Sequence, residues 1–271
     1  MAAGNRNHGF ISATHSHHKT KATTKIMKLS TDKILKKVVQ LAHTLAPTGK
    51  THLDIGSGTG ELIALLRNAN GMTSRACDYT DELMRLPGQK VDIVNLNVDS
   101  TLPYDGQSFD VVTCTEVVEH LENYRSLVRE AYRVTKPGGV AIFTTPNVLN
   151  LKSRLRFMFF GFWNLFGPLP ITRSENFSTA GHITPVPYFY LAHALHEAGF
   201  KSVELEIDKV QRSAIPRLFV WWPFISLLSL SSKRREVKKY KTVDAGNSKI
   251  VDDMNTLKML TGRTIIVSAR R

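Results

Sequence analysis

Apolar residues in this chain keep two rhythms, and their alternation predicts a sheet covered by helices. Strand-like apolar runs fall at Thr51–Ile55, Thr73–Cys77, Val91–Leu96, Phe109–Cys114 and Val140–Thr144. Between them apolar positions recur every three or four residues, over Glu61–Asn68 and again over Tyr124–Val134, where Leu127, Val128, Ala131 and Val134 share a face. A short helix is expected at Asp81–Leu86 with Thr80 as its N-cap. Lys136-Pro137-Gly138-Gly139 stops the helix that precedes it. Phe109–Cys114 is apolar throughout, as a strand buried on both faces must be. Strands alternating with helices through short connections make an α/β, doubly wound sheet with right-handed crossovers. Ligands of such sheets sit at the carboxyl ends of the strands.

The connection Asp54-Ile55-Gly56-Ser57-Gly58-Thr59-Gly60 joins the first strand to the first of these helices. Glycines let a backbone turn sharply and approach a ligand without Cβ interference. The helix that follows aims its first N–H groups at whatever is bound. Asp54, just before the first glycine, would repel a pyrophosphate and hold an ammonium or sulfonium group. Beyond the fourth strand, Glu116, Glu119 and His120 are spaced i, i+3, i+4 and are expected on one helical face. Two carboxylates and an imidazole suit a divalent cation, and His182 in Gly181-His182-Ile183-Thr184-Pro185 can add a ligand. The same residues also permit a metal-free reading, in which His120 is a lone base, Glu116 supports the pocket and His182 caps a helix. Asp110 reads as structural, closing the turn before the fourth strand, and Glu122 as a solvated acid.

From Thr51 to Asn147 the motifs resemble, in order, those of class I S-adenosylmethionine-dependent methyltransferases: LDIGSGTG, then Asp78, LNVDSTLPYDGQSFDVV, and LVREAYRVTKPGGVAIFTTPN. A helix at Pro187–Ala198, a strand at Lys201–Ile207 and a reversed seventh strand at Thr264–Ala269 continue the resemblance. It implies a seven-stranded, mostly parallel Rossmann-like sheet with S-adenosyl-L-methionine as methyl donor. By position, Asp54, Gly56, Ser57, Gly58, Gly60 and Thr115 would bind the donor, Asp78 would accept from its ribose, and Asn97 or Asp99 would meet its adenine. The run from Glu116 to His120 is similar to metal-dependent O-methyltransferases that modify ubiquinone precursors and the 3′-terminal ribose of small RNAs. That likeness implies Mg2+ or another divalent cation on Glu116, Glu119, His120 and His182, with His120, Glu116 and His182 as the catalytic residues.

A chain of 271 residues holds one core plus insertions. Residues 1–26 carry no acid and no apolar segment of the secretory kind, and read as a disordered tail before a domain over 27–271. Histidines 15, 17 and 18 in it are read as exposed. Cys77 and Cys114 lie in strand-like runs and read as core thiols of a reducing compartment. The first insertion, 148–183, carries seven aromatic residues from Phe157 to Phe177, with Arg154, Arg156 and Arg173, and reads as an acceptor lid or else as buried packing. In the second, 209–262, the apolar run Ile215–Leu230 contains Trp221-Trp222 and is followed by Lys233, Arg234, Arg235, Lys238, Lys239 and Lys241. That run is shorter than the ~20 apolar residues of a span. Its aromatic and basic composition suits the anionic cytoplasmic face of the cell membrane, as a peripheral anchor. A homodimer interface would leave a similar apolar trace without using the basic run. The net charge of +13 admits nucleic acid, but no stacking aromatics interleave with the basic residues, so RNA is disfavoured. The expected activity is methylation of a sugar hydroxyl on a lipid-linked or surface glycan precursor. The alternatives are a quinone precursor or an RNA ribose as acceptor, and, in another class, a non-catalytic scaffold of a glycan-assembly complex.

Overall fold

The apolar runs line up as a single sheet in the computed structural model, which describes residues 30–99, 101–169 and 181–271. The expected tail 1–26, and the stretch of the first insertion that holds Arg173 and Phe177, lie outside the described residues. The strands are β1 (Thr51–Ile55), β2 (Thr73–Asp78), β3 (Val91–Ile93), β4 (Phe109–Thr115), β5 (Thr135–Pro146), β6 (Ser202–Ile207) and β7 (Thr264–Arg270). Their order is β3-β2-β1-β4-β5-β7-β6. β1 to β5 run parallel, and β7 runs antiparallel to both of its neighbours, β5 and β6. This is the seven-stranded α/β sheet, with its reversed last strand, that the motif order implies.

Helices cover both faces: α1 (Asp32–Leu45), α2 (Glu61–Asn70), α3 (Tyr124–Val134), α4 (Leu151–Phe160), α5 (Tyr188–Ala198), α6 (Ile215–Arg235), α7 (Ser248–Asp253) and α8 (Leu257–Thr261). Side chains alternate across a strand. Val111, Ile142 and Ile266 therefore pack with Ile34, Val38 and Leu66 of α1 and α2. Val112, Phe143 and Val267 pack instead with Val128, Ala131 and Leu191 of α3 and α5. α1 is a helix that the strand-and-turn signals do not announce, although Ile34, Leu35, Val38 and Ala42 are buried at helical spacing.

Three local expectations are corrected. Asp81–Leu86 forms turns and no helix: Arg85 N–H bonds out to Thr59 O at 3.1 Å, and Pro87 follows directly. Its expected cap survives in part, since Thr80 Oγ1 accepts from Glu82 N at 3.2 Å. β3 ends at Ile93 because Asn95 starts a turn, with Asp99 Oδ2 accepting from Asn95 N at 2.9 Å. The helix before Lys136–Gly139 does stop, at Val134, but these four residues lie within β5, which starts at Thr135 instead of the expected Val140 and shifts register opposite Phe109–Val111.

Asp110 ties the entry of the sheet together. Its Oδ2 accepts from Lys50 N at 3.0 Å, Thr51 N at 2.9 Å and Thr51 Oγ1 at 2.8 Å, while Oδ1 takes Lys136 Nζ at 3.0 Å. Burial alone would raise its pKa, but these donors outweigh it and hold the carboxyl well below the ordinary 3.8. A depressed carboxylate stabilises the fold above its unfolded pKa and loses that contribution as pH falls. Replacing a charged acceptor of several bonds costs about 1–3 kcal/mol. D110N is expected to lose that much in urea unfolding at pH 7, and its deficit against wild type should shrink as the pH is taken below the ordinary 3.8.

Candidate functional site

Ile55 pairs with Cys77 on β2 and with Cys114 on β4, so three strands end at one level and their connections gather there. Gly56, Gly58 and Gly60 have φ of 71°, 49° and 78°, the left-handed region that favours glycine. Space demands it too: a Cβ on Gly56 would meet Val117 Cγ2 at 2.2 Å, and one on Gly60 would meet Met84 Sδ at 2.6 Å. Gly60 thus packs on Met84 rather than facing the site. Asp78 at the end of β2 is locked to the turn, with Oδ2 accepting from Gly58 N at 2.8 Å and Oδ1 from Tyr79 N at 2.7 Å. Between these connections lies a cavity of about 410 Å³, whose wall includes Asp54, Gly56–Thr59, Asp78, Tyr79, Thr115 and His120. That volume lies in the range of small-ligand sites.

Asp54 lies in the wall but is almost wholly out of water. Burial pushes its pKa up from 3.8 to about 7, a hydrogen bond from Thr113 opposes the rise, and the Asp78 charge adds to it. A buried chain of groups aims it. Thr113 Oγ1 donates to Asp54 Oδ1 at 2.7 Å, and His52 Nε2 lies 2.7 Å from Thr113 Oγ1. His52 Nδ1 lies 2.9 Å from Ser74 Oγ. With Asp54 ionised, the single Thr113 proton goes to it, so His52 carries its hydrogen on Nε2 and accepts from Ser74 on Nδ1. Burial lowers the His52 pKa to about 3, which keeps the ring neutral as this chain requires. Sequence reading missed His52, Ser74 and Thr113, because alternate residues of a buried strand read only as packing.

The resemblance-based adenine residues divide. Asn97 borders the cavity, but its amide is engaged: Oδ1 accepts from Glu122 N at 2.9 Å and Nδ2 donates to His120 O at 3.3 Å. Asp99 bonds Asn95 and lines a separate groove with Glu130. Tyr79 and Asn95 border the cavity without having been expected, their only signal being position just after β2 and β3. The hydroxyls of Ser57 and Thr115 are buried with no hydrogen-bond partner. Unpartnered hydroxyls, a buried acid and a glycine cradle together fit a ligand bearing hydroxyls and a positive charge, as S-adenosylmethionine does.

Glu116, Glu119 and His120 do not share a helical face. Glu116 is left-handed with φ of 56°, and only Val118–His120 forms a turn of 3-10 helix. Glu116 Oε1 instead accepts from Thr144 Oγ1 at 3.1 Å, with the Arg263 and Asp208 charges nearby. Glu119, His120 and His182 do come together, with one ligand atom of each within 4.8 Å of the others. The Gly181–Thr184 segment is clamped to make this so. Ile183 N and Thr184 N donate to Glu119 O at 2.9 and 3.0 Å, and His120 Nδ1 lies 2.8 Å from Gly181 O. The two imidazoles then meet edge to face at 4.9 Å, and Phe166 packs 5.2 Å from His182. Glu119 is 0% exposed, and neither of its carboxylate oxygens has a hydrogen-bond partner. Burial, and then the neighbouring Glu116, raise its pKa well above the ordinary range. Burial lowers both histidines, so each is neutral at pH 7. This cluster fits a divalent cation by its donor types, with Glu116 outside the set.

Over residues 27–205 the chain matches the methyltransferase domain family. It is 30% identical over 120 residues to a ubiquinone biosynthesis O-methyltransferase of Idiomarina loihiensis, covering 42% of this chain and 49% of that protein. A demethylmenaquinone methyltransferase of Oceanobacillus iheyensis is 32% identical over 123 residues, covering 41% of this chain and 52% of that one. The chain thus spans about half the length of these curated relatives. Among solved structures, a SAM-dependent methyltransferase from Archaeoglobus fulgidus superposes with a TM-score of 0.53 at 16% identity, over 88% of this chain and 94% of that one, a likeness of fold.

Asp54 sets the expected pH dependence. Its folded pKa of about 7 exceeds the ordinary 3.8, so the folded chain holds a proton that the unfolded chain has lost. Stability from this group therefore falls as pH rises from 3.8 to about 7, and a cationic ligand that needs the ionised form binds more tightly over the same rise. Calorimetry with S-adenosylmethionine should show tighter binding at pH 8 than at pH 6. D54N should abolish that dependence and weaken binding by about tenfold or more, the loss of a charge-assisted contact.

Proposed function

This chain belongs to the class I S-adenosylmethionine-dependent methyltransferases, and on that premise we propose that it moves a methyl group from S-adenosyl-L-methionine to an acceptor hydroxyl. The observation that carries the proposal is the Glu119–His120–His182 cluster at the edge of the glycine-turn cavity. When bound, the donor supplies an electrophilic methyl group on a sulfonium centre. Asp54 offers that centre and the donor's ammonium group a negative charge already fixed in direction by Thr113 and His52. Asp78 would accept hydrogen bonds from the donor's hydroxyls, and the donor would offer partners to the Ser57 and Thr115 hydroxyls, which otherwise have none. An intact donor site of this kind argues against a non-catalytic scaffold, which has no use for it.

His120 is the proton acceptor in this reading. Its Nδ1–H donates to Gly181 O, which leaves the lone pair on Nε2. Its lowered pKa keeps that nitrogen free at pH 7. Were Glu119, His120 and His182 to hold a divalent cation instead, His120 Nε2 would be one of its ligands and not the base, and the cation would supply the lowered pKa of a hydroxyl placed beside it. Mg2+ suits the carboxylate, whereas two imidazoles admit a transition ion as well.

For the acceptor class, the names of the curated relatives favour a quinone precursor, and none of those reported above acts by name on a glycan or an RNA. A phenol with an apolar tail replaces the expected sugar hydroxyl in this proposal. The exposed Phe157, Phe159 and Phe160 of α4 supply apolar surface in the same insertion that carries His182.

The test is a transfer assay with isotope-labelled methyl donor and three acceptors offered separately: a polyprenyl catechol, a lipid-linked glycan and a short RNA. Label is expected in an ether of the catechol. H120A should lower turnover roughly 100-fold or more, the usual worth of a general base, with donor affinity nearly unchanged. Label only in the glycan or the RNA would overturn the acceptor class. If the cation is held, chelation should remove turnover that added Mg2+ restores, and full turnover after chelation would leave His120 acting as the base without a cation.

A further inference from the structure

The helix between β6 and β7 makes few contacts with the body of the protein. α6 runs for 21 residues, and none of its residues is buried. Leu218, Trp221, Ile225 and Ser229 form a half-covered stripe at helical spacing. The rest of the surface is open and apolar: Phe219 is 81% exposed, Leu227 69% and Leu228 65%, with Val220, Trp222, Phe224 and Leu230 beside them. α4 adds a second exposed apolar patch at Phe157–Phe160. The two helices begin side by side, since Lys152 Nζ of α4 lies 3.4 Å from Ser213 Oγ just ahead of α6.

By length and composition alone the segment Arg212–Tyr240 could cross a membrane. Its tethers forbid that. Before the helix, Gln211 N donates to Thr261 O at 2.8 Å, and Val210 bridges Gly262. Toward its end, Lys233 Nζ reaches Ser248 Oγ at 3.3 Å and pairs with Asp252. Both ends are therefore held by the one stretch Ser248–Gly262, which packs against the sheet through Ile250 and Met259. At 1.5 Å per residue the helix is about 31 Å long. Crossing a ~30 Å hydrocarbon layer would leave one end on the far side from the sheet that holds it. The helix must lie along the surface of the body.

Charge selects what covers it. Arg212 and Arg217 flank the front of the apolar run, and Arg234, Arg235, Lys238, Lys239 and Lys241 follow its end. Among the described residues, no ion pair engages any of these seven. An exposed apolar run with unpaired cations ahead of it and behind it matches the surface of one anionic leaflet, the apolar side chains entering the headgroup–acyl boundary and the cations meeting headgroups along the same plane. A second copy of this chain would bring equal positive charge to both ends and repel there. We propose that α6, with the exposed end of α4, is a monotopic docking surface that lies in the plane of an anionic lipid bilayer, inserting Phe219, Phe224, Leu227 and Leu228.

The proposal does not depend on methyl transfer, and its test reads lipid binding alone. The full chain is floated with vesicles of phosphatidylcholine, with or without phosphatidylglycerol. Wild type is expected to float with the anionic vesicles, and brominated lipid should quench Trp221 and Trp222. F219E/L228E should weaken binding at least about tenfold, as loss of inserted apolar area requires. R234S/R235S/K238S should weaken binding to anionic vesicles roughly 100-fold while leaving the weak binding to neutral ones. Circular-dichroism melting checks that F219E/L228E folds, and if it does not, the triple serine variant at exposed positions decides alone. The proposal fails if wild type stays unbound to anionic vesicles, or if the folded variants float as well as wild type. It also fails if light scattering finds a dimer that F219E/L228E splits while neither protein binds lipid, which would assign the helix to a second copy.

Discussion

The site depends on three parallel strands ending at the same height. With Ile55 level with Cys77 and Cys114, the carboxyl ends of β1 and β2 and the connection after β4 bring Asp54, Asp78 and the Glu116–His120 turn around one cavity. Nothing local to any of those segments would place them together. The alignment comes from the burial of Val111, Val112, Ile142 and Phe143 on opposite faces of β4 and β5, because a one-residue slip would turn every such side chain to the wrong layer. Packing far from the chemistry therefore sets the distances within it.

Charge out of water is the second constraint. Asp54, Glu116 and Glu119 are carboxyl groups in a nearly dry region, and burial is the largest influence on each of them. Such groups are costly to ionise without a compensating charge. A cationic donor beside Asp54 and a divalent ion beside Glu119 would each supply that compensation. Were such cations bound, binding and ionisation of these acids would be one event.

Much of this was legible in the chain itself, and the exceptions share a cause. Glycine turns, buried strands and α3 are specified by neighbours in sequence, so Gly56–Gly60, Phe109–Cys114 and Tyr124–Val134 could be read directly. The expected helix at Asp81–Leu86 failed because Thr59, more than twenty positions upstream, captures the amide of Arg85. Glu116 left the expected face because its backbone adopts φ of 56° and its carboxyl finds Thr144. The meeting of His120 with His182 rests on amides of residues 183 and 184 bonding to Glu119 O, a contact across more than sixty positions. Spacing reports on a helix face, and it is silent about bonds made across the sheet.

β7 lies between β5 and β6, yet it follows α6 in the chain. As the polypeptide leaves the ribosome, β5 and β6 therefore have no strand joining them while the apolar helix is already outside. Until Thr264–Arg270 arrives, the nascent chain shows an open sheet edge and a greasy helix at the same moment, the combination most prone to mispairing. Were α6 to rest on a bilayer as proposed, the same contact would withdraw it from other chains while the final strand threads into the gap.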